Sequence, residues 1–206
     1  MSSESATAVK HGCLVVISGP SGAGKTSICN ALLERLPDAV WSISATTRPK
    51  RSNEKDDQNY HFITRKQFDA MKERGEFLET AEYVGNWYGT PLKPVEEAIA
   101  LGQCVIMEIE VQGGVQVAKK VPNSIRVFVL PPTRETLEAR LKGRKTESED
   151  QQKRRLAEAD GEIGFARDSA CYQYFVTNDV LEDTVDEVID IINRERSRIN
   201  KEKCRS

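Results

Sequence analysis

The sequence predicts an α/β fold: a mostly parallel sheet with helices on both faces, carrying a small α+β insert and a short lid. Three observations predict it. Short apolar, β-branched runs alternate along the chain with stretches of helical period, the pattern of βαβ units. One such run leads directly into a glycine-rich loop and then a helix. Residues 44–93 break the alternation with short strands, aromatics and arginines.

Cys13-Leu14-Val15-Val16-Ile17 reads as a buried strand, and Ile28, Leu32, Leu33 and Leu36 recur at helical spacing after it. That helix should stop near Arg35–Leu36, because Pro37 disfavours helix in the residue before it. Val40 to Ser44 alternates as a strand, and the polar stretch Thr46 to Asn59 reads as loop with some strand. Tyr60 to Ile63 is a short strand. Thr64-Arg65-Lys66-Gln67 is a capping box opening a helix that buries Phe68 and Met71 and stops at Gly75. Phe77 to Tyr83 is a strand, Gly85-Asn86 signals a hairpin turn, and Trp87-Tyr88 begins the return.

Pro94 is expected to open the next helix and Gly102 to close it. Cys104 to Met107 is a buried strand running into Glu108-Ile109-Glu110. Gly113-Gly114 should break the chain before a short helix. Ile125 to Leu130 is another buried strand, Thr133 caps a helix carrying Leu137 and Leu141, and Tyr174 to Val176 is the last strand. Asp183 should cap a final helix with Val185, Val188, Ile189 and Ile192 on one face. The expected organisation is a tail over 1–10 and one domain over 11–206. Its core is 11–43 with 94–206, the insert is 44–93, and the lid is about 143–160.

Composition sets the limits. At 206 residues the chain can bury one substantial core. A net charge of −2 gives no global field favouring nucleic acid or acidic membranes. No apolar run approaches the ~20 residues of a membrane span, and the Ser/Ala/Thr-rich start has no signal-peptide core. The five cysteines are scattered without a C-x-x-C pair, which suits a reducing cytoplasm. The two histidines support no transition-metal site.

The loop Gly19-Pro20-Ser21-Gly22-Ala23-Gly24-Lys25-Thr26 fits G-x-x-x-x-G-K-[ST], the P-loop that cradles nucleotide phosphates, so the sheet is of P-loop NTPase type. Glycines let backbone N–H groups approach a phosphate as an anion nest. The following helix adds the positive end of its dipole. Lys25 would reach the β- and γ-phosphates and Thr26 would ligate Mg²⁺. Ligands in such sheets sit at the carboxyl ends of the strands, the edge that carries the P-loop, Ser44, Glu108 and Glu110. Arginines fall in two further groups: Arg48 and Arg51 in the insert, and Arg140, Arg144, Arg154 and Arg155 around the polar segment 143–152. A guanidinium fork grips phosphate bidentately. Two such groups beside a P-loop point to one donor and one acceptor phosphate site.

A series of short motifs makes the reading specific. The chain carries V-I-S-G-P-S-G-A-G-K at 16–25, S-x-T-T-R-x-x-R at 44–51 and Y-x-F at 60–62. It continues with F-L-E at 77–79, G-N-W-Y-G-T at 85–90, R-L-x-x-R at 140–144, T-E-S-E at 146–149 and V-T-N-D at 176–179. In this order the motifs resemble the guanylate kinases, nucleoside monophosphate kinases that move the γ-phosphoryl of ATP to GMP.

The resemblance implies ATP and GMP as partners, with Mg²⁺. It assigns the insert to GMP binding. Arg48, Arg51 and Tyr60 should hold the GMP phosphate with Tyr88, while Ser44, Glu79 and Thr90 read the guanine edge. Arg140, Arg144 and Arg155 should contact ATP or the transferring group, and Asn178 should lie near the adenine. Glu108, ending its strand, is placed to hold Mg²⁺ through water.

Two positions depart from the family. Glu110 stands where Asp is usual, near guanine, and Lys145 replaces a glycine after Arg144. Two alternatives stand beside this reading. One is an inactive scaffold of the same type that binds phosphorylated peptides; the other is a related kinase with a different phosphorylated acceptor. Nothing in one sequence sets the oligomeric state.

Overall fold

The computed structural model describes residues 12–142 and 149–203. The expected tail, Arg144 and Lys145 lie outside them. The described elements are, in order, β1 (Cys13–Ser18), α1 (Lys25–Arg35), β2 (Ala39–Trp41), β3 (Ala45–Thr46), β4 (His61–Phe62) and α2 (Arg65–Glu73). Then follow β5 (Phe77–Tyr83), β6 (Asn86–Pro91), α3 (Leu92–Ala100), β7 (Cys104–Glu108) and α4 (Val111–Lys120). The last are β8 (Ile125–Leu130), α5 (Arg134–Lys142), α6 (Glu149–Asp168), β9 (Tyr174–Thr177) and α7 (Leu181–Lys203).

Five strands form a wholly parallel sheet in the order β2-β7-β1-β8-β9. The inner strands β7, β1 and β8 are buried on both faces, so they read as largely apolar runs. Period two sorts their side chains. Val15, Ile17, Ile106, Val127 and Val129 face Ile28 and Leu32 of α1 and Val185, Val188 and Ile192 of α7. Leu14, Val16, Val105 and Met107 face Val95 of α3 and Val117 of α4. Cys13 and Cys104 are register partners, both buried, with sulfurs 3.5 Å apart.

The insert folds as a second sheet, β4-β3-β6-β5, antiparallel except for the β3–β4 pair. It has its own nucleus of rings. Phe68 stacks on Phe77 at 4.5 Å and tilts against Trp87 at 5.8 Å, with Ala45 buried beside them. The Thr64 capping box forms as the sequence predicts: Thr64 Oγ1 accepts from the Gln67 N–H, and Gln67 Oε1 accepts from the Thr64 N–H.

Several boundaries differ, each for a physical reason. Gly113-Gly114 does not break the chain; both lie inside α4. A Cβ on Gly114 would sit 2.1 Å from the Tyr172 hydroxyl, and one on Gly113 would sit 3.1 Å from Glu79 Oε2. These glycines permit close packing rather than a turn. The β5–β6 turn is Val84-Gly85, one residue earlier than expected, with Tyr83 paired to Asn86. Both turn residues have positive φ, +48° and +71°, the primed geometry that suits strand twist. β-Branched residues avoid that region, so the sequence points one step too late.

The predicted strand 40–44 ends at Trp41. Helix α3 starts at Leu92, with Pro94 in its first turn, where the missing N–H removes no helical bond. Helix α7 starts at Leu181, so Asp183 lies in its first turn and not at the cap. Helix α6, 20 residues long, has no counterpart in the sequence reading. Its apolar stripe is thin: Leu156 and Ala159 pack on Leu137 and Leu141, and Ile163 and Ala166 on Val111, Phe128 and Tyr172.

Candidate active site

The P-loop joins β1 to α1 at the carboxyl edge of the parallel sheet. Gly19 has φ +151°, and a Cβ there would lie 2.4 Å from the Val129 carbonyl oxygen. Gly24 has φ +93° and approaches Asn178 so closely that a Cβ would lie 2.1 Å from its side-chain nitrogen. Only glycine meets both demands. Lys25 begins α1, and its Nζ donates to the carbonyl oxygens of Gly19 at 2.6 Å and Pro20 at 3.1 Å. The ammonium is thus folded over the loop whose N–H groups would hold phosphate. Thr26 Oγ1 donates toward the Glu108 carboxylate, 3.0 and 3.1 Å from its two oxygens.

Asn178 borders the P-loop from the end of β9. It is 5% exposed. Its side-chain Nδ2 donates to the Ala23 carbonyl at 2.8 Å, and its backbone carbonyl accepts from Arg140 Nη2 at 3.0 Å. Its side-chain amide therefore braces the P-loop from β9's end. Ser21, Gly22, Lys25, Thr26, Arg140 and Asn178 border one cavity of about 470 Å³.

On the insert side, Arg48 is held from several directions. Its guanidinium nitrogens donate to the Glu54 carboxylate at 2.7 and 3.0 Å. Its carbon lies 5.6 Å from the Tyr60 ring centroid and 5.7 Å from that of Phe62. Glu54 also accepts from the Arg51 N–H at 2.8 Å. The hydrogen bond from Arg48, then that N–H, hold the Glu54 carboxyl down at about 2. The same bond raises the Arg48 pKa further. Tyr60 meets Tyr88 edge to face at 5.9 Å, and burial pushes the Tyr60 phenol up. The Arg51 side chain is exposed.

Three residues from separate segments form a polar chain, buried at Glu79 and Thr90 and half-buried at Ser44. Glu79 Oε1 accepts from the Thr90 N–H at 3.1 Å and from Thr90 Oγ1 at 2.8 Å, and Thr90 Oγ1 lies 3.1 Å from Ser44 Oγ. Glu79 is 4% exposed. Burial pushes its pKa up, the Thr90 bonds oppose that, and the Glu110 charge adds to the rise. Glu110 is the N-cap of α4, with extended backbone. A cavity of about 270 Å³ is lined by Ser44, Tyr60, Glu79, Tyr88 and Glu110. Thr90 stands behind Glu79 rather than on that lining.

A third cavity of about 680 Å³ joins the two sides. Gly19, Lys25 and Thr26 border it from the P-loop, Ser44 and Tyr60 from the insert, and Glu108 and Glu110 from the end of β7. Arg155, half-buried on α6, and Arg51 line none of these three cavities.

Sequence reasoning missed Glu54 and Glu162. Glu54 sits three residues after Arg51 and six after Arg48, a spacing that hints at a loop staple only once the loop is known to fold back. Glu162 lines the joining cavity from α6. Burial pushes its pKa up to about 7, Lys25 opposes the rise, and Glu110 and Glu158 add to it.

A family model described as guanylate kinase matches residues 11–195. The chain is 43% identical over 191 residues to the guanylate kinase of Desulfitobacterium hafniense, covering 93% of this chain and 94% of that one. It is 46% identical over 179 residues to the guanylate kinase of Prochlorococcus marinus, covering 87% and 96%. Among solved structures, it is similar to the crystal structure of guanylate kinase from Anaplasma phagocytophilum, with a TM-score of 0.72 and 30% identity over 91% of this chain and 87% of that one.

Proposed function

The chain belongs to the guanylate kinase family, and from that premise we infer that its cleft moves the γ-phosphoryl group of ATP to GMP, and to dGMP, giving ADP and GDP by in-line transfer. One observation supports this most directly: Lys25 and Glu79 lie on adjoining cavities that share Ser44, Tyr60 and Glu110.

On the donor side, the backbone N–H groups of Ser21 to Thr26 and the Lys25 ammonium hold the ATP phosphates. Arg140, Arg144 and Arg155 neutralise charge on the transferring group. Asn178 acts by fixing the loop that does this. On the acceptor side, Arg48, Arg51, Tyr60 and Tyr88 hold the GMP phosphate. Glu79 accepts the neighbouring N1–H and N2–H₂ donors of guanine, with Ser44, Thr90 and Glu110 around it. Adenine presents an acceptor at N1 and would face Glu79 lone pair to lone pair. A site built on such bonds rejects the wrong base by about 10⁴-fold, because its buried groups go unpaired.

The attacking atom is a phosphate oxygen of GMP, whose second pKa of about 6 leaves it mostly ionised at neutral pH. Positioning and charge stabilisation then suffice, without a general base. Magnesium fits the residues present. The Thr26 hydroxyl and the Glu108 carboxylate lie within 3.1 Å of each other, a hard oxygen pair of the kind that holds a nucleotide-borne ion through one or two protein oxygens. Thr26 and Glu108 would hold the ion, and its chemistry there would be positive charge set against that of the phosphates. Among the described residues no helix is long and apolar enough to cross a membrane. The free cysteines Cys13, Cys29 and Cys104 support a cytoplasmic setting.

A coupled assay of ADP production tests the reading, with GMP, dGMP, AMP, UMP and ribose bisphosphate offered in turn. Turnover should appear with GMP and dGMP. Equal turnover with AMP or ribose bisphosphate would overturn it.

A further inference from the structure

We propose that Tyr83 is a further binding residue of the acceptor site, its ring packing against the purine nucleoside whose base edge Glu79 accepts. The inference rests on the guanylate kinase reading and deepens it.

Three observations carry it. First, Glu79, Ala81 and Tyr83 occupy one face of β5, because successive side chains of a strand alternate. All three line the same 270 Å³ cavity. The break in β5–β6 register between Phe77 and Glu79 sends Phe77 to the ring nucleus and leaves this face to the cavity. Second, exposure rises along that face, from 4% at Glu79 to 55% at Tyr83. The carboxylate marks the closed end and the tyrosine the mouth, ~13 Å apart along the strand. A purine and its sugar fit between them, with only the Ala81 methyl on the strand in between. Third, Tyr83 also lines the larger cavity that Lys25 and Thr26 border. It stands where the acceptor pocket opens toward the donor.

The turn holds the ring there. Tyr83 and Asn86 form the last rung of the hairpin, Asn86 Nδ2 donates to the Val84 carbonyl at 3.0 Å, and Val84 is held at φ +48°. A β-branched residue in that region is strained. Val84 is 78% exposed, so no core contact offsets the strain. Tyr83 itself belongs to none of the apolar clusters of the described residues. Its ring therefore gains burial only when something flat covers it, and stacking on a base or sugar is of that kind.

Titration calorimetry of GMP onto the whole chain and onto Tyr83→Ala and Tyr83→Phe tests this, beside steady-state KM for ATP. Tyr83→Ala should weaken GMP roughly ten-fold, with KM for ATP moved less than two-fold and the melting temperature unchanged. Tyr83→Phe should bind GMP within two-fold of wild type. GMP affinity unchanged in Tyr83→Ala, or equal losses for GMP and ATP, would overturn the inference while leaving the kinase reading intact. A wild type that binds a different monophosphate would overturn the kinase reading instead, and the same variant ratio measured with that ligand still decides Tyr83. A wild type that binds no nucleoside monophosphate overturns both.

Discussion

Glu54 receives both arms of the Arg48 fork, at 2.7 and 3.0 Å, and in the same stroke accepts the Arg51 amide at 2.8 Å. The carboxylate thereby staples residues 48–54 into one loop. The two arginines assigned to the acceptor phosphate are brought together by a residue of opposite charge. Its pKa, held down at about 2, is below the ordinary value. The staple therefore contributes fully at neutral pH and is lost only as pH falls through about 2.

Removing the staple should loosen the acceptor side alone. Glu54→Ala is expected to raise KM for GMP about five- to ten-fold, as expected when one charge-assisted pair is lost, and to leave KM for ATP unchanged. Steady-state kinetics with each substrate varied in turn checks this. Tighter GMP binding in the variant would instead mark Glu54 as a competitor of the phosphate.

Lys25 bears on the chemical step. Lys25→Ala should lower kcat by about 10³, while GMP affinity measured by calorimetry stays within two-fold of wild type. A variant that turns over normally would remove the P-loop from the mechanism.

Asn178 ties the end of β9 to the P-loop through the buried Ala23 carbonyl. Asn178→Ala leaves that carbonyl without its donor, at an expected cost of about 1–3 kcal/mol. The melting temperature should fall by several degrees, and ATP affinity should weaken with GMP affinity preserved. An unchanged melting temperature would show that the brace contributes nothing.

Glu162 supplies a pH signature. Burial raises its folded-state pKa from an ordinary 4.5 to about 7, so between those values the folded chain binds more protons than the unfolded one. Stability from this group is full below the unfolded value and is lost as pH rises through about 7. Glu162→Gln removes the ionisation. It should stabilise the protein by on the order of 1 kcal/mol at pH 8 and by much less at pH 5. Denaturant unfolding at the two pH values checks it; an equal gap at both would contradict it.

The parallel sheet was legible because its strands are short apolar runs with turn signals at their ends. Ile125 to Leu130 could be read residue by residue, and Cys13 to Ser18 to within its last residue. Helix α6 was not, because its buried stripe is one leucine, one isoleucine and two alanines among charges. Glu162 was invisible with it. Gly113 and Gly114 misled because their reason lies in Tyr172 and Glu79, far away in the chain. The Ser44–Thr90–Glu79 chain joins residues up to 46 positions apart. No local pattern announces such a cluster, and only the ordered motifs pointed to those residues. Asn178 was singled out by the same motifs, while the bond from its side chain to the Ala23 carbonyl, for which Gly24 leaves room, has no signal in the local sequence.

The ring nucleus of Phe68, Phe77 and Trp87 gives the four-stranded insert an apolar centre separate from the clusters of the parallel sheet. Chain connections reach it through residues 42–44 and 91–92. Leu78 of β5 packs with Leu14 and Val16 of the parallel sheet, and residues away from that joint can alter what the insert recognises without disturbing the machinery next door. Selection can retune the customer while the engine stays as it is.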